Sequence, residues 1–139
     1  MDQYPNGFDG LVLSRDNLVL EYGIGTTYNE CWSSLTKDLH KDIDDKVNLQ
    51  YHTALKKSNN IIVDMTNLTI DRRNLWLSNL PDNYTKNIRL FTTTIDTIKE
   101  RNRLQAKNKF IPEDVLEDMA RRFQYPETDE VDELIIETT

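Results

Sequence analysis

The run IIVD at residues 61–64 constrains this chain more than any other stretch. Three apolar β-formers, Ile61, Ile62 and Val63, lead straight into Asp64, with Thr66 and Asn67 just beyond. Asp71, Arg72 and Arg73 then open a segment that holds Leu75, Trp76, Leu77 and Leu80 and stops at Pro81, which predicts a helix over 71–80. A strand that ends on a carboxylate and turns into a helix is how many nucleotide-binding α/β folds present their chemistry.

The rest of the chain follows the same alternation. Gly7-Phe8-Asp9-Gly10 reads as a turn, Leu11–Leu13 as a short buried strand, and Asp16 as the cap of a helical segment over 17–22 that Gly23 and Gly25 break. From Thr27, the residues Tyr28, Cys31, Trp32, Leu35 and Leu39 recur at spacings of three and four. KDLHKDIDDKV continues or hinges that helix. A further helix over about 46–57 is expected to turn Leu49 and Leu55 to the core and to end at Asn59-Asn60. Beyond residue 81 the pattern predicts a strand at 87–93, a polar helix at 95–109, a helix at 112–123 opened by Pro112, and a closing strand at 132–138. Strands separated by helices imply an α/β layered fold with a mainly parallel sheet, in one domain over 1–139.

Several function classes drop out on composition. Cys31 is the single cysteine and His40 and His52 the only histidines, too few for a zinc site of the usual spacing or for an internal disulfide. A lone thiol fits a reducing, cytoplasmic setting, and no apolar run approaches the roughly 18 residues of a membrane helix. The net charge of −7 is uneven. Residues 86–122 carry 9 basic and 6 acidic groups, whereas residues 123–139 carry 6 acidic groups and no basic one. Such a basic band reads either as a local anion site or as a solvated helix face.

Two predicted strands end on an acid, the first at Arg15-Asp16 and the second at Asp64. In a parallel sheet ligands sit at the carboxyl ends of strands, so the pair could provide a base for a hydroxyl and an organiser of magnesium-bound phosphates. Each could equally be a helix cap.

Five ordered blocks, LVLSRDNL, IIVDMTNLTIDRRNLW, RLFTTTIDTIKERNRLQ, KFIPEDVLEDMARRFQYP and DEVDELIIE, resemble the polynucleotide 5′-kinase family of P-loop phosphotransferases, to which tRNA kinases and zeta-type toxins are related. The likeness runs from about Phe8 to Ile136. It implies transfer of the γ-phosphate of ATP to a 5′-hydroxyl, with Asp16 as general base and Arg15 at the acceptor. Asp64 would support magnesium indirectly and the attacked phosphate, and Thr66 and Asn67 would shape the acceptor pocket. The lid, about 95–109, would hold the donor phosphates through Arg101, with Arg103, Gln105 and Lys107 beside it. Phe123, Tyr125 and Pro126 match the segment leading into the last strand.

The chain departs from the family pattern in three places. Gln105 stands where a second lid arginine is common, so Arg103 or Lys107 would have to compensate; Val19 stands where phage-type enzymes place an arginine for substrate phosphate. None of the four glycines, Gly7, Gly10, Gly23 and Gly25, is followed by lysine, so these residues contain no Walker A loop. The family's first strand, P-loop and first helix would fall before residue 8, and the expected fold is accordingly incomplete at its N-terminus. Magnesium and ATP are then expected only if a Walker A segment is supplied, by an upstream segment or a second chain that completes the sheet. Three readings follow: the C-terminal portion of such a kinase, inactive as this chain alone, a non-catalytic binding or regulatory descendant, or a structural protein-interaction role. A nucleic acid or nucleotide is the implied acceptor, and a membrane is not expected. With the first strand missing from the middle of the sheet, residues 61–63 are expected to pair directly with 88–91 or with a strand from another chain.

Overall fold

A computed structural model describes residues 4–5, 7–105 and 108–137, which form two compact units, Met1–Met65 and Thr66–Thr139. Among these residues no helix is long and apolar enough to cross a membrane.

In the N-terminal unit, strand β1 (Leu11–Ser14) runs without a loop into helix α1 (Arg15–Tyr22). Ser14 does the capping: its hydroxyl accepts from the Asn17 amide at 3.3 Å. Asp16, expected as the cap, lies instead in the first turn, where a carboxylate is favoured by the helix dipole. Gly23 ends α1 and lies against Cys31; a Cβ there would come within 2.4 Å of the Cys31 carbonyl oxygen. The long helix expected from Thr27 is broken in two. Thr27 caps α2 (Tyr28–Ser34), Leu35 leaves the helix, and Thr36 caps α3 (Lys37–Lys56). A second hydroxyl cap within nine residues competes with continuation of the first helix.

α3 is one helix, not the hinged pair the sequence suggested. Its buried stripe is Ile43, Val47, Tyr51 and Ala54, at spacings of four, four and three. Leu49, expected in the core, is 62% exposed because it falls off that stripe. The helix ends at Lys57 and Ser58, the latter with φ of 53°, ahead of the Asn59-Asn60 pair expected to stop it. Strand β2 (Ile61–Asp64) then lies parallel to β1, with Leu13 opposite Val63 and Ser14 opposite Asp64. Gly10, at φ 155°, permits the approach that opens this ladder: the Leu11 amide donates to the Asn60 carbonyl at 2.8 Å, and a Cβ on Gly10 would collide with that oxygen.

The C-terminal unit contains α4 (Ile70–Leu77, capped by Thr69), β3 (Asn87–Phe91), α5 (Ile95–Leu104, capped by Thr94), α6 (Glu113–Arg122, with Pro112 at the cap position) and β4 (Glu133–Glu137). β3 and β4 pair in parallel, Ile88 opposite Leu134 and Leu90 opposite Ile136.

Mixed α/β structure with short parallel strands matches the sequence reading. The strand partners do not. Among the described residues the ladder of 61–63 runs to β1 within the N-terminal unit, and β3 pairs with β4 within the C-terminal unit. The described strands make two two-stranded sheets where one was expected. The physical reason for the β1–β2 ladder is local: α1, α2 and α3 together form the crossover a parallel pair needs.

Candidate functional site

At the carboxyl end of the β1–β2 pair, Ser14 and Asp64 are register partners, and Arg15 and Asp16 follow Ser14 directly. Asp16 is exposed, and its Oδ1 accepts from the Tyr28 hydroxyl at 2.9 Å. Asp64 is half-buried, and its Oδ2 accepts from the Tyr4 hydroxyl at 2.5 Å. Both carboxylates therefore have a phenol partner. Burial, and then the hydrogen bond and charge of Asp16, push the Tyr28 pKa up, so Tyr28 remains a neutral donor to Asp16 at ordinary pH.

Arg15 is held from three sides. Its Nε donates to Asp44 Oδ1 at 3.0 Å, its Nη2 lies 3.3 Å from His40 Nδ1, and its guanidinium sits 5.8 Å from the Trp32 ring centre. His40 meets Trp32 edge-on at 4.9 Å, and Tyr28 stacks near Trp32 at 6.3 Å and 24°. Sequence reasoning missed Tyr4, Tyr28, Trp32, His40 and Asp44 as members of this cluster. Tyr28 and Trp32 share a helix face at i and i+4, and that spacing was read as a core signal; the 45% exposure of Trp32 shows that this face stays at the surface.

Of the DxTN block, Asp64 belongs to the N-terminal unit and Thr66 and Asn67 to the other. Thr66 is exposed. Asn67 adopts φ of 46°, a left-handed turn that asparagine tolerates, and its carbonyl accepts from Arg73 Nη1 at 3.0 Å. Arg73 is almost wholly buried and forks onto Glu130, Nε to Oε1 at 2.8 Å and Nη2 to Oε2 at 3.2 Å. Glu130 Oε2 also accepts from the Glu127 amide at 2.6 Å. These contacts, led by the Arg73 hydrogen bond, hold the Glu130 carboxyl below its ordinary pKa.

Arg101 lies exposed in the last turn of α5, and no partner for its side chain occurs among the described residues. Arg103, expected to compensate for Gln105, is instead paired with Glu113, Nε to Oε1 at 2.8 Å. Gln105 is the helix C-cap, and Lys107 lies outside the described residues. Between the two arginines Asn102 is buried and makes a reciprocal pair with Ile111, donating to its carbonyl at 2.7 Å and accepting from its amide at 3.0 Å. Phe123 and Tyr125 are exposed and Pro126 is buried; Gln124 between them accepts from the Ile70 amide and donates its own amide to Leu68, both at 2.8 Å.

Among the described residues, no three acidic, histidine or cysteine side chains gather in metal-binding geometry. A cavity of about 260 Å³ lined by Leu80, Tyr84, Lys86, Asp129 and Asp132 contains none of the sequence-predicted site residues. The amides and lysine of a Walker A loop, which supply the main electrostatic hold on a triphosphate, have no counterpart in the glycine pattern.

A family model described as AAA domain matches residues 7–126. No curated protein and no solved structure matches the chain.

Proposed function

The chain belongs to this AAA domain family, a P-loop kinase-like family, and on that premise we propose that it is the acceptor-and-lid portion of a polynucleotide 5′-hydroxyl kinase-like phosphotransferase, inactive as this chain alone. The observation that carries the reading is the sheet edge of the N-terminal unit. Two parallel strands end side by side, one leading into Arg15-Asp16 and the other finishing on Asp64. Asp16 takes the proton of the acceptor hydroxyl, and Tyr28, neutral and hydrogen-bonded to it, keeps that carboxylate oriented. Arg101, uncommitted among the described residues, is the lid cation that meets the donor phosphates. The donor has to be cradled by a Walker A segment supplied in the same polypeptide or by another.

A second reading, a non-catalytic binding or regulatory descendant, draws on the Arg103–Glu113 pair, which takes the other lid cation out of use.

The test has two arms. Calorimetry of this chain with magnesium-ATP is expected to give nothing tighter than about millimolar, roughly −4 kcal/mol. With a Walker A segment supplied, Asp16→Asn is expected to lower kcat roughly 10²–10⁴-fold with ATP affinity unchanged, whereas Arg101→Ala weakens ATP binding. A micromolar isotherm from the chain alone, or equal loss of ATP binding in both variants, overturns the assignment.

A further inference from the structure

Arg15 is aimed by residues outside its own helix. His40 and Asp44 stand at i and i+4 on one face of α3 and meet the same edge of its guanidinium. Nε donates to Asp44 at 3.0 Å, Nη2 lies 3.3 Å from His40 Nδ1, and the group sits over the Trp32 ring at 5.8 Å. Arginine has donors only, so Nδ1 is the accepting nitrogen of His40 and the ring proton is on Nε2. One edge and one face of the cation are thereby occupied. The N–H groups of Nη1 have no partner among the described residues.

Stability is a poor explanation for this arrangement. The Arg15 and Asp44 side chains are 28% and 62% exposed, and ion pairs this open to solvent contribute little. What the three contacts do accomplish is to restrict a long side chain to one placement, which removes ordering that binding would otherwise require. A fixed guanidinium with a free N–H edge suits the oxygens of a phosphate. Arg15 also precedes Asp16 directly, and both are tied to the same rings: Trp32 meets Arg15, and Tyr28, stacked near Trp32, donates to Asp16. In a 5′-hydroxyl strand the anion nearest the attacking oxygen is the phosphodiester on the 3′ side of the same nucleoside. A cation adjacent to the general base matches a phosphate adjacent to the hydroxyl.

We infer that Asp44 and His40 are positioning residues, which hold Arg15 so that Nη1 meets the first phosphodiester of a 5′-hydroxyl strand. The inference rests on the acceptor reading above and adds to it what aims the acceptor cation. Charge alone makes the opposite forecast for Asp44: removing a carboxylate beside a polyanion should tighten binding. The test is anisotropy of a 3′-labelled 5′-hydroxyl strand of about eight nucleotides, as DNA and as RNA, added to this chain at about 50 mM salt. Arg15→Ala is expected to weaken the strand about tenfold, Asp44→Ala about fivefold and His40→Leu about twofold, with the melting transition of each close to that of the parent. Asp44→Asn keeps an oxygen for Nε and should recover most of the loss. Should Asp44→Ala not fold, Asp44→Ser carries the same comparison. A neutral methylphosphonate at the first linkage is expected to weaken binding by the parent about fivefold and to change Arg15→Ala and Asp44→Ala little. Asp44→Ala that binds as tightly as the parent or tighter, while Arg15→Ala is weakened, overturns the positioning role and leaves the acceptor reading standing. Equal loss wherever the methylphosphonate is placed overturns the assignment to the first phosphodiester. A parent that binds neither strand, or binds no better than Arg15→Ala, overturns the acceptor role of Arg15 and this inference with it.

Discussion

Among the described residues, the N-terminal unit shields eight apolar side chains, running from Leu13 on β1 to Ala54 on α3, while the C-terminal unit shields Leu116 and Pro126. What the second unit buries instead is polar: Arg73, forked onto Glu130, and Asn102, paired with Ile111. The two halves thus use different forces. Apolar burial is non-directional and tolerates small shifts, whereas a buried guanidinium or amide is favourable only while every partner stays within hydrogen-bond reach. The first unit places its cluster on a packed base, and the second is fastened at two polar points. Responses to substitution and to pH should differ accordingly.

The sharpest way to break this contrast is at Arg73. Arg73→Met leaves the Glu130 carboxylate buried without its partner, and a loss of about 3–5 kcal/mol is expected, concentrated in amide exchange of residues 66–137. Leu13→Ala, with a loss of about 2–5 kcal/mol from the cavity, should show first in residues 11–64. Exchange that rises equally throughout the chain in both variants would show that the units share one source of stability.

Asn102→Ala is expected to be milder. It leaves the Ile111 amide and carbonyl without their partner and should cost about 1–3 kcal/mol. The measurement is exchange at Ile111 and in the last turn of α5; unchanged protection there would mean that water replaces the amide at no penalty.

The smallest effect expected is a titration. The folded pKa of Glu130 is depressed, so its contribution is fully present above the unfolded value of about 4.5 and is lost as pH falls through the folded one. The urea midpoint reported from the C-terminal unit should therefore drop, as pH falls below about 4.5, more than that from the N-terminal unit, and Glu130→Gln should flatten the difference. Equal acid sensitivity in the two units would place the responsible carboxylates elsewhere.

How far the sequence could be read follows the same division. Spacing found the elements because strands and helices are local: IIVD marked β2, and the helix expected over about 46–57 falls in the second half of α3, although the face read as its core, through Leu49, was the wrong one. Boundaries slipped where hydroxyls compete to cap, with Ser14 taking the place assigned to Asp16 and Thr36 splitting a helix that apolar spacing alone would continue. Strand partners slipped because pairing is a tertiary choice, and a run such as Ile61–Val63 pairs equally well with any neighbour of similar length. At the site, Arg15, Asp16 and Asp64 were legible because they end strands. Tyr4, His40 and Asp44 were not, since each reaches that edge from elsewhere in the chain through its side chain. Arg73 stands in the helix that follows IIVD, yet nothing in its neighbours announced a partner 57 residues away.

That separation has a consequence for how the sequence can drift. Arg73 and Glu130 stand near opposite ends of the sequence of the C-terminal unit, and the hydrogen bond from Arg73 is the leading reason the Glu130 carboxyl is held below its ordinary pKa. A change at either one alone passes through an intermediate with an orphaned ion, and a change at both to apolar residues of similar volume escapes that penalty. In descendants of this chain the two positions should therefore be inherited as a unit, kept together or exchanged together, so the stretch around Glu130 is as constrained as the helix that carries Arg73.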